Sequence, residues 1–309
     1  MAVVVVVGSS NTDMVAPVPH IPGVGETVLG SDLIIAPGGK GANQAVAAAR
    51  LGAEVRFIGA VGDDAFGSSA LAGLREEGID VGLLRTVRDV PSGVALITVD
   101  REGRNAIAVA PGANAHVTES DVRDAAGEIS GADVLLVQLE TPLDAVREAL
   151  RVAWEAGVRT VLNPAPVPSS PGVVGEMLAM VSVLTPNEGE ARELAGVAAE
   201  AGPEAVAREL LALGAGAVII TLGERGALVT TQDRQEMVSA HEVRAVDTTA
   251  AGDAFSGALS VALAEGQDIF EAARFASAAA ALSVTKRGAQ PSLPSREAVE
   301  KALYGQLGL

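Results

Sequence analysis

Apolar positions along the chain fall into short β-branched runs separated by longer stretches in which Ala and Leu recur at helical spacing. Val3–Val7, Arg56–Val61, Val134–Leu139, Arg159–Leu162, Val181–Leu184 and Ala217–Leu222 have the length and composition of strands. Between them, Asn43–Leu51, Phe66–Glu77, Pro142–Ala156, Glu188–Ala195 and Glu204–Leu213 carry the pattern of helices. A run such as Val3–Val7 has no polar alternation, so both of its faces must be covered. Strands of that kind alternating with helices predict an α/β fold, with a central, mostly parallel sheet flanked by helices.

Two stretches break the alternation. Glu26–Ala36 has no helical period, while Ser92–Val99 and Asn105–Val109 flank Asp100-Arg101-Glu102-Gly103, which reads as a hairpin with a Gly-containing turn. Together they predict a small β lid, formed by residues 14–38 and 92–110 and standing off the main sheet. From Ala250 the pattern is helical through Thr285, then a Gly- and Pro-containing loop leads to a last helix over Ser295–Leu303. No internal repeat, low-complexity tract or long linker interrupts the chain, so residues 1–309 read as one domain.

Composition narrows the function classes. The formal net charge is −17 with no Lys/Arg run, which disfavours nucleic-acid and membrane-surface partners. There is no cysteine, so disulfides and thiolate metal sites are excluded, and His20, His116 and His241 show no ligand spacing. Ala2–Val7 is apolar but too short for a signal segment or a membrane span, and the expectation is a soluble, cytoplasmic protein. Lysine occurs at Lys40, Lys286 and Lys301 alone.

Candidate chemistry lies where helices begin. Asp247-Thr248-Thr249-Ala250-Ala251-Gly252-Asp253-Ala254-Phe255 puts small residues and an acid at the start of an Ala-rich helix. Free N–H groups there suit an anion, and Asp253 suits the deprotonation of a hydroxyl; a plain helix cap is the other reading. Gly38-Gly39-Lys40-Gly41-Ala42-Asn43-Gln44 also opens a helix, with glycines that permit close backbone approach. Its spacing fits neither a dinucleotide fingerprint nor a P-loop. Asn11 and Asp13 lie just past the first strand, and Glu140 follows the Val134–Leu139 strand, at the edge where parallel sheets bind ligands. Asn187 and Glu190 open a further helix as phosphate and Mg²⁺-water contacts or as a capping box. Thr221-Leu222-Gly223-Glu224-Arg225-Gly226 is a strand-end turn of the kind that can contact a nucleotide.

In this order along the chain, these segments resemble the ribokinase family of sugar and nucleoside kinases, from Gly8-Ser9-Ser10-Asn11-Thr12-Asp13 to Lys286-Arg287-Gly288-Ala289-Gln290-Pro291-Ser292. The Gly-Gly-Lys-Gly-Ala-Asn-Gln and Asp-Thr-Thr-Ala-Ala-Gly-Asp segments match its two signatures. Val137-Gln138-Leu139-Glu140, Asn163-Pro164-Ala165-Pro166 and Thr185-Pro186-Asn187-Glu188 are closest to members that phosphorylate ribose. The resemblance implies ATP-dependent phosphorylation of D-ribose at its primary hydroxyl. It implies a sugar pocket of Asn11, Asp13, Gly39, Lys40, Gly41, Asn43 and Glu140, with Asp253 as base and Ala250, Ala251, Gly252 and Asp253 as the anion hole. Asn187, Glu190, Thr221, Gly223, Glu224, Gly226, Gly252 and Ser277 would serve ATP and its Mg²⁺. A K⁺ ion would take side-chain oxygens of Asp247 and Ser292 and backbone carbonyls of Thr249, Ser283, Lys286 and Gly288. The resemblance further implies a homodimer through the lid. Three departures stand out: Ala250 replaces a glycine of many relatives, Pro37 precedes Gly38 at the lid hinge, and Ser277 stands where some members pack a side chain on adenine.

Overall fold

The computed structural model describes residues 1–198 and 200–305. Its strands are β1 Val3–Val7, β2 Asn11–Pro17, β3 Ile34–Gly38, β4 Glu54–Gly62, β5 Leu84–Val87, β6 Gly93–Val99, β7 Asn105–Ala110, β8 Val134–Val137, β9 Arg159–Leu162, β10 Val183–Leu184, β11 Val218–Thr221, β12 Ala227–Thr230 and β13 Gln235–Val238. The α-helices are α1 Lys40–Arg50, α2 Ala65–Glu76, α3 Glu119–Asp124, α4 Ala126–Ser130, α5 Leu143–Glu155, α6 Gly172–Gly175, α7 Glu188–Ala195, α8 Pro203–Ala212, α9 Ala251–Ala264, α10 Ile269–Ser283 and α11 Arg296–Leu303.

Nine strands form the main sheet in the order β13-β12-β11-β10-β9-β8-β1-β4-β5, and β12 alone runs against its neighbours. The first strand, flanked by β8 and β4, shows why the valine run is needed. Val4 and Val6 pack into the core under α1, α9 and α10, while Val5 and Val7 pack into the opposite core under α5 and α8. All four are fully buried, each burial contributing about 1.5–3 kcal/mol. A core built mainly from Ala, Val, Leu and Ile lets helices approach closely. At Gly257 of α9, a Cβ would come 2.6 Å from the Ala47 Cβ and 2.8 Å from the Gln44 carbonyl oxygen of α1. That contact draws the first turns of α1 and α9 together.

The second sheet has the order β3-β2-β6-β7, with β2 and β6 parallel and both outer pairs antiparallel. It brings together the segments expected to form a lid, and one stretch of it is apolar and open: Ile34, Ile35, Leu96 and Ile107 are all more than half exposed. The hairpin turn is as predicted; Gly103 has φ 78°, and Asp100 accepts hydrogen bonds from the backbone N–H groups of Glu102 and Arg104.

Several boundaries differ from expectation. The lid begins at Asn11, not residue 14, so Asn11 and Asp13 belong to a lid strand rather than to the loop after β1. Residues 18–33 carry no strand, and the predicted segment Glu26–Ala36 contributes only its last residues to β3. The strands β5, β12 and β13 escape the hydrophobic pattern because each has only four residues, and β5 and β13 are edge strands with polar positions. The C-terminal helical stretch is two helices, α9 and α10, separated by a turn that Asp268 caps. No helix among the described residues is long and apolar enough to cross a membrane.

Candidate active site

The parallel strands finish along one edge of the main sheet, the edge where open α/β sheets bind ligands. Ser9 follows β1, Gln138 and Glu140 follow β8, Asn163 follows β9, Thr185 and Asn187 follow β10, and Thr221 ends β11. Because the strand order is β11-β10-β9-β8-β1, these residues form a row from Thr221 at one end to Ser9 at the other. The helices α1 and α9 start over the middle of that row.

Both helix starts lack a side-chain cap. Gly39 precedes α1 with φ 90°, and Ala250 precedes α9 with φ 60°, a left-handed conformation unusual for alanine. At α9 the Gly252 and Asp253 N–H groups have no hydrogen-bond partner among the described residues and remain available to a ligand. At α1, by contrast, the Lys40, Gly41 and Ala42 N–H groups are taken by Glu140, Ser9 Oγ and the Ser9 carbonyl. Close packing requires the glycines here. A Cβ on Gly41 would lie 2.5 Å from the Ser9 nitrogen, and one on Gly38 would overlap the Asp13 carboxylate. Glu140 ties these pieces together, since one of its oxygens accepts from the Lys40 backbone N–H at 3.0 Å and from Ser9 Oγ at 2.5 Å.

Asp253, in the first turn of α9, is buried at 6% exposure. Its Oδ2 accepts from Asn43 Nδ2 at 2.9 Å, and its Oδ1 accepts from Gln44 Nε2 at 2.9 Å. Burial raises its pKa; the Lys40 charge and the two amides pull in the other direction without cancelling the rise. Asp13 is pushed up to about 6 by burial first, then by the negative charges of Glu140 and Asp253. The Lys40 amine is held above its ordinary value: burial opposes its charge, but Asp253, Glu140 and Glu190 outweigh burial. Asp13, Glu140, Asp253, Glu190 and Lys40 thus lie within reach of one another's fields. Asn11 is buried beside it, its Oδ1 accepting from Asn114 Nδ2 at 2.7 Å.

At the other end of the row, Asn187 and Glu190 realise the capping box. Asn187 Oδ1 accepts from the Glu190 N–H, and Glu190 Oε2 accepts from the Asn187 N–H. Asn187 bridges to Thr221, and the following turn uses positive φ at Gly223 (61°) and Gly226 (96°). A Cβ on Gly226 would meet the Val238 carbonyl oxygen at 2.0 Å. Glu224 is exposed on this turn. Ser277 is buried on α10, which packs on β12 and β13, and no hydrogen bond among the described residues joins it to the other predicted nucleotide residues.

The loop before α9 is tied to the loop after α10. Asp247 Oδ1 accepts from the Thr249 N–H and Oγ1, and its Oδ2 accepts from the Gly288 N–H at 2.9 Å. Burial works against its charge, yet the hydrogen bonds from Gly288 and Thr249 hold its pKa below the ordinary carboxylate value. Ser283 and Ser292 are both buried; the Ser283 carbonyl accepts from the Lys286 N–H, and Ser292 Oγ donates to the Ala289 carbonyl.

Sequence reasoning left four participants unassigned. Gln44, Gln138 and Asn163 form a buried amide network behind Asp253, and Ser9 anchors Glu140. All lie inside or beside motif segments, but amides and hydroxyls have no periodicity that marks them as site residues. Their signal was position: each directly follows a strand or sits in the first turns of α1.

The whole geometry has known counterparts. Residues 1–296 match the pfkB family of carbohydrate kinases. The chain belongs to that family. It is 45% identical over 294 residues to the ribokinase of Haemophilus influenzae, covering 94% of this chain and 95% of the relative. A deoxyribokinase of Salmonella typhi is 36% identical over 296 residues, covering 95% and 96%. Among solved structures, Arabidopsis thaliana ribokinase complexed with ribose and ATP superposes with a TM-score of 0.86 at 32% identity, covering 98% of this chain and 99% of that one. The central sheet flanked by helices is the architecture of these kinases.

Proposed function

We propose that this chain transfers the γ-phosphoryl group of ATP to the primary hydroxyl of D-ribose, giving ADP and D-ribose 5-phosphate. One observation carries the reading: Asp253 is a buried carboxylate with no guanidinium partner among the described residues, set at a helix start without a side-chain cap and in the field of Lys40, Glu140 and Asp13. The likeness to ribokinases over nearly the full length supports it.

A neutral sugar is gripped by groups that accept and donate hydrogen bonds. Asn11, Asp13, Asn43, Glu140 and the backbone of Gly39, Lys40 and Gly41 supply these. Asn43 Oδ1 is buried with no partner among the described residues, and a sugar hydroxyl would satisfy it. Asp253 takes the hydroxyl proton as the oxygen attacks the γ-phosphorus; the new O–P bond forms while the bond to the ADP oxygen breaks. A weak base suffices, because such transfer depends on positioning and charge neutralisation. The N–H groups of Ala250, Ala251, Gly252 and Asp253, with the Lys40 ammonium, face the charge that spreads over the phosphoryl oxygens.

Asn187, Glu190, Thr221, Gly223, Glu224, Gly226 and Ser277 are assigned to ATP at the far end of the row. Mg²⁺, entering with ATP, supplies neutralisation of the phosphate charge, and the free oxygen lone pairs of Asn187 and Glu190 are hard donors that suit its waters. The oxygen-only set around Asp247 fits a hard monovalent cation. Asp247 is kept ionised by Gly288 and Thr249, and the carbonyls of Thr249, Ser283, Lys286 and Gly288 with Ser292 Oγ lie on the loops it joins. K⁺ there would fix the loop that leads into Ala250 without touching sugar. Replacing K⁺ by a bulky organic cation at constant ionic strength should then lower turnover and spare ribose affinity; undiminished turnover would remove the site. The open apolar stretch of the lid supports a homodimer through lid contacts, and we place the enzyme in the cytoplasm with its ATP.

The acceptor is tested by coupled assay of ADP release with ribose, 2-deoxyribose, fructose, adenosine and pseudouridine. Ribose is expected to show the highest kcat/KM. The deoxyribokinase likeness makes 2-deoxyribose the competing reading, and a preference for it, or for a nucleoside, would overturn the ribose assignment.

A further inference from the structure

We infer that Gln44 is the positioning residue for Asp253, and that Gln138 and Asn163 set which way its amide faces. The inference rests on the reading of Asp253 as the base. Gln44 is completely buried in α1, one residue beyond the ligand-facing Asn43. Its Nε2 donates both to Asp253 Oδ1 at 2.9 Å and to Asn163 Oδ1 at 3.0 Å. Its Oε1 accepts from Gln138 Nε2 at 2.7 Å. Asn163 is fixed in turn, because its Nδ2 donates to the Thr185 carbonyl at 2.9 Å.

Donors and acceptors therefore run in one sense, from Gln138 through Gln44 to Asp253 and Asn163, and on to the Thr185 backbone. Turning the Gln44 amide over would set its oxygen against the Asp253 carboxylate and the Asn163 oxygen, and its NH₂ against that of Gln138. Gln138 is held by its bond to Gln44 and by close packing: its Oε1 has no partner among the described residues, and a Cβ on the neighbouring Gly8 would come 2.1 Å from it. The strand ends of β8, β9 and β10 thus dictate the orientation of a side chain on α1, and that side chain dictates the carboxylate.

The division of labour between adjacent residues follows. Asn43 donates to Oδ2, on the side where the sugar pocket lies, while Gln44 holds Oδ1 from behind. Gln44 can keep its bond throughout a turnover, leaving the second lone pair of Oδ2, beside the Asn43 bond, to meet the hydroxyl. A neutral donor also favours the ionised acid without neutralising it as an arginine would, which counters the effect of burial.

Two substitutions in the full-length chain test this, read against Asp253→Asn. Gln44→Met keeps the volume and removes the bond. Its kcat should fall about 10- to 100-fold, and the acid limb of kcat against pH should move up by about one unit, with the ribose Kd from calorimetry held within about threefold. Gln138→Met, which leaves Gln44 free to turn over, should move the limb in the same direction by less. A structural role alone would lower thermal stability and leave the limb in place. An unmoved limb in folded Gln44→Met, while Asp253→Asn still loses turnover, would overturn the role of Gln44 and spare the base. Full turnover in Asp253→Asn would overturn the base itself. If Gln44→Met does not fold, an unmoved limb in Gln138→Met overturns the proposal.

Discussion

Glu148 and Asp253 are hidden from solvent to nearly the same degree, 7% and 6% exposed, yet their surroundings push them in opposite directions. Glu148, on α5, accepts from Arg151 through two nitrogens at 2.9 and 2.8 Å and from Arg123 at 2.7 Å. Those guanidinium bonds drive its pKa down to about 2. Asp253 has amide partners, and burial leaves its pKa raised. Burial alone therefore does not mark a working acid. A carboxylate clamped by arginines has its lone pairs committed and its proton affinity removed, so it can only hold structure. A carboxylate held by amides keeps both its orientation and its appetite for a proton.

The sharpest break in that comparison comes from removing each proton acceptor in place. Asp253→Asn should lower kcat by about 10²–10⁴-fold while ribose binding and the melting temperature persist, read by coupled assay, calorimetry and thermal denaturation. Glu148→Gln should leave kcat at the parent level. Turnover retained in Asp253→Asn, or lost in Glu148→Gln, would dissolve the distinction.

Much of this contrast was legible in the sequence on one side only. The Val3–Val7 run, the helix α7 to the residue, and the helix starts at Gly38–Gln44 and Asp247–Asp253 followed from local pattern, because buried strands and amphipathic helices repeat with fixed periods. The placement of Lys40 and Asp253 followed from motif order. The partners of Asp253 did not, since Asn43 and Gln44 lie 210 and 209 residues before it in the chain and reach it only when α1 packs on α9. Neither did the assignment of Asn11 and Asp13 to the lid. Their strand, β2, mixes polar and apolar residues and draws its pairing from β3 and β6 rather than from its own periodicity. Tertiary pairing, unlike secondary structure, leaves little local trace.

Asp13 sharpens the comparison from a third position, a half-buried acid with neither arginine nor amide partner among the described residues. Its folded pKa of about 6 lies above the ordinary 3.8, so the folded state holds an extra proton between those values. Its contribution to stability is fully present below about 4 and is lost as pH rises through about 6. Sugar binding needs the opposite, an ionised acceptor. Ribose kcat/KM should fall as pH drops through about 6, and Asp13→Asn should raise the ribose KM by about 10- to 100-fold at neutral pH. The same substitution should raise the melting temperature at pH 7 and leave it unchanged near pH 4, the signature of an acid kept for function at a cost in stability. A lower melting temperature at pH 7 would show that Asp13 supports the fold instead.

The smallest effect belongs to the clamped acid. Glu148 has a folded pKa below its ordinary 4.5, so its contribution is present above 4.5 and fades as pH falls toward about 2. Its arginines are 42% and 55% exposed, and each keeps a second partner when Glu148 changes: Arg151 pairs with Glu155, and Arg123 with Glu119. Solvent screening and those remaining pairs limit the loss in Glu148→Gln to about 1 kcal/mol at pH 7, because the amide oxygen can still accept one guanidinium hydrogen bond. Urea midpoints for the parent and Glu148→Gln should therefore differ at pH 7 and draw together by pH 3, where the parent begins to lose the same interaction. A difference that stays constant across that range would mean that Glu148 acts by packing against α3 rather than by charge.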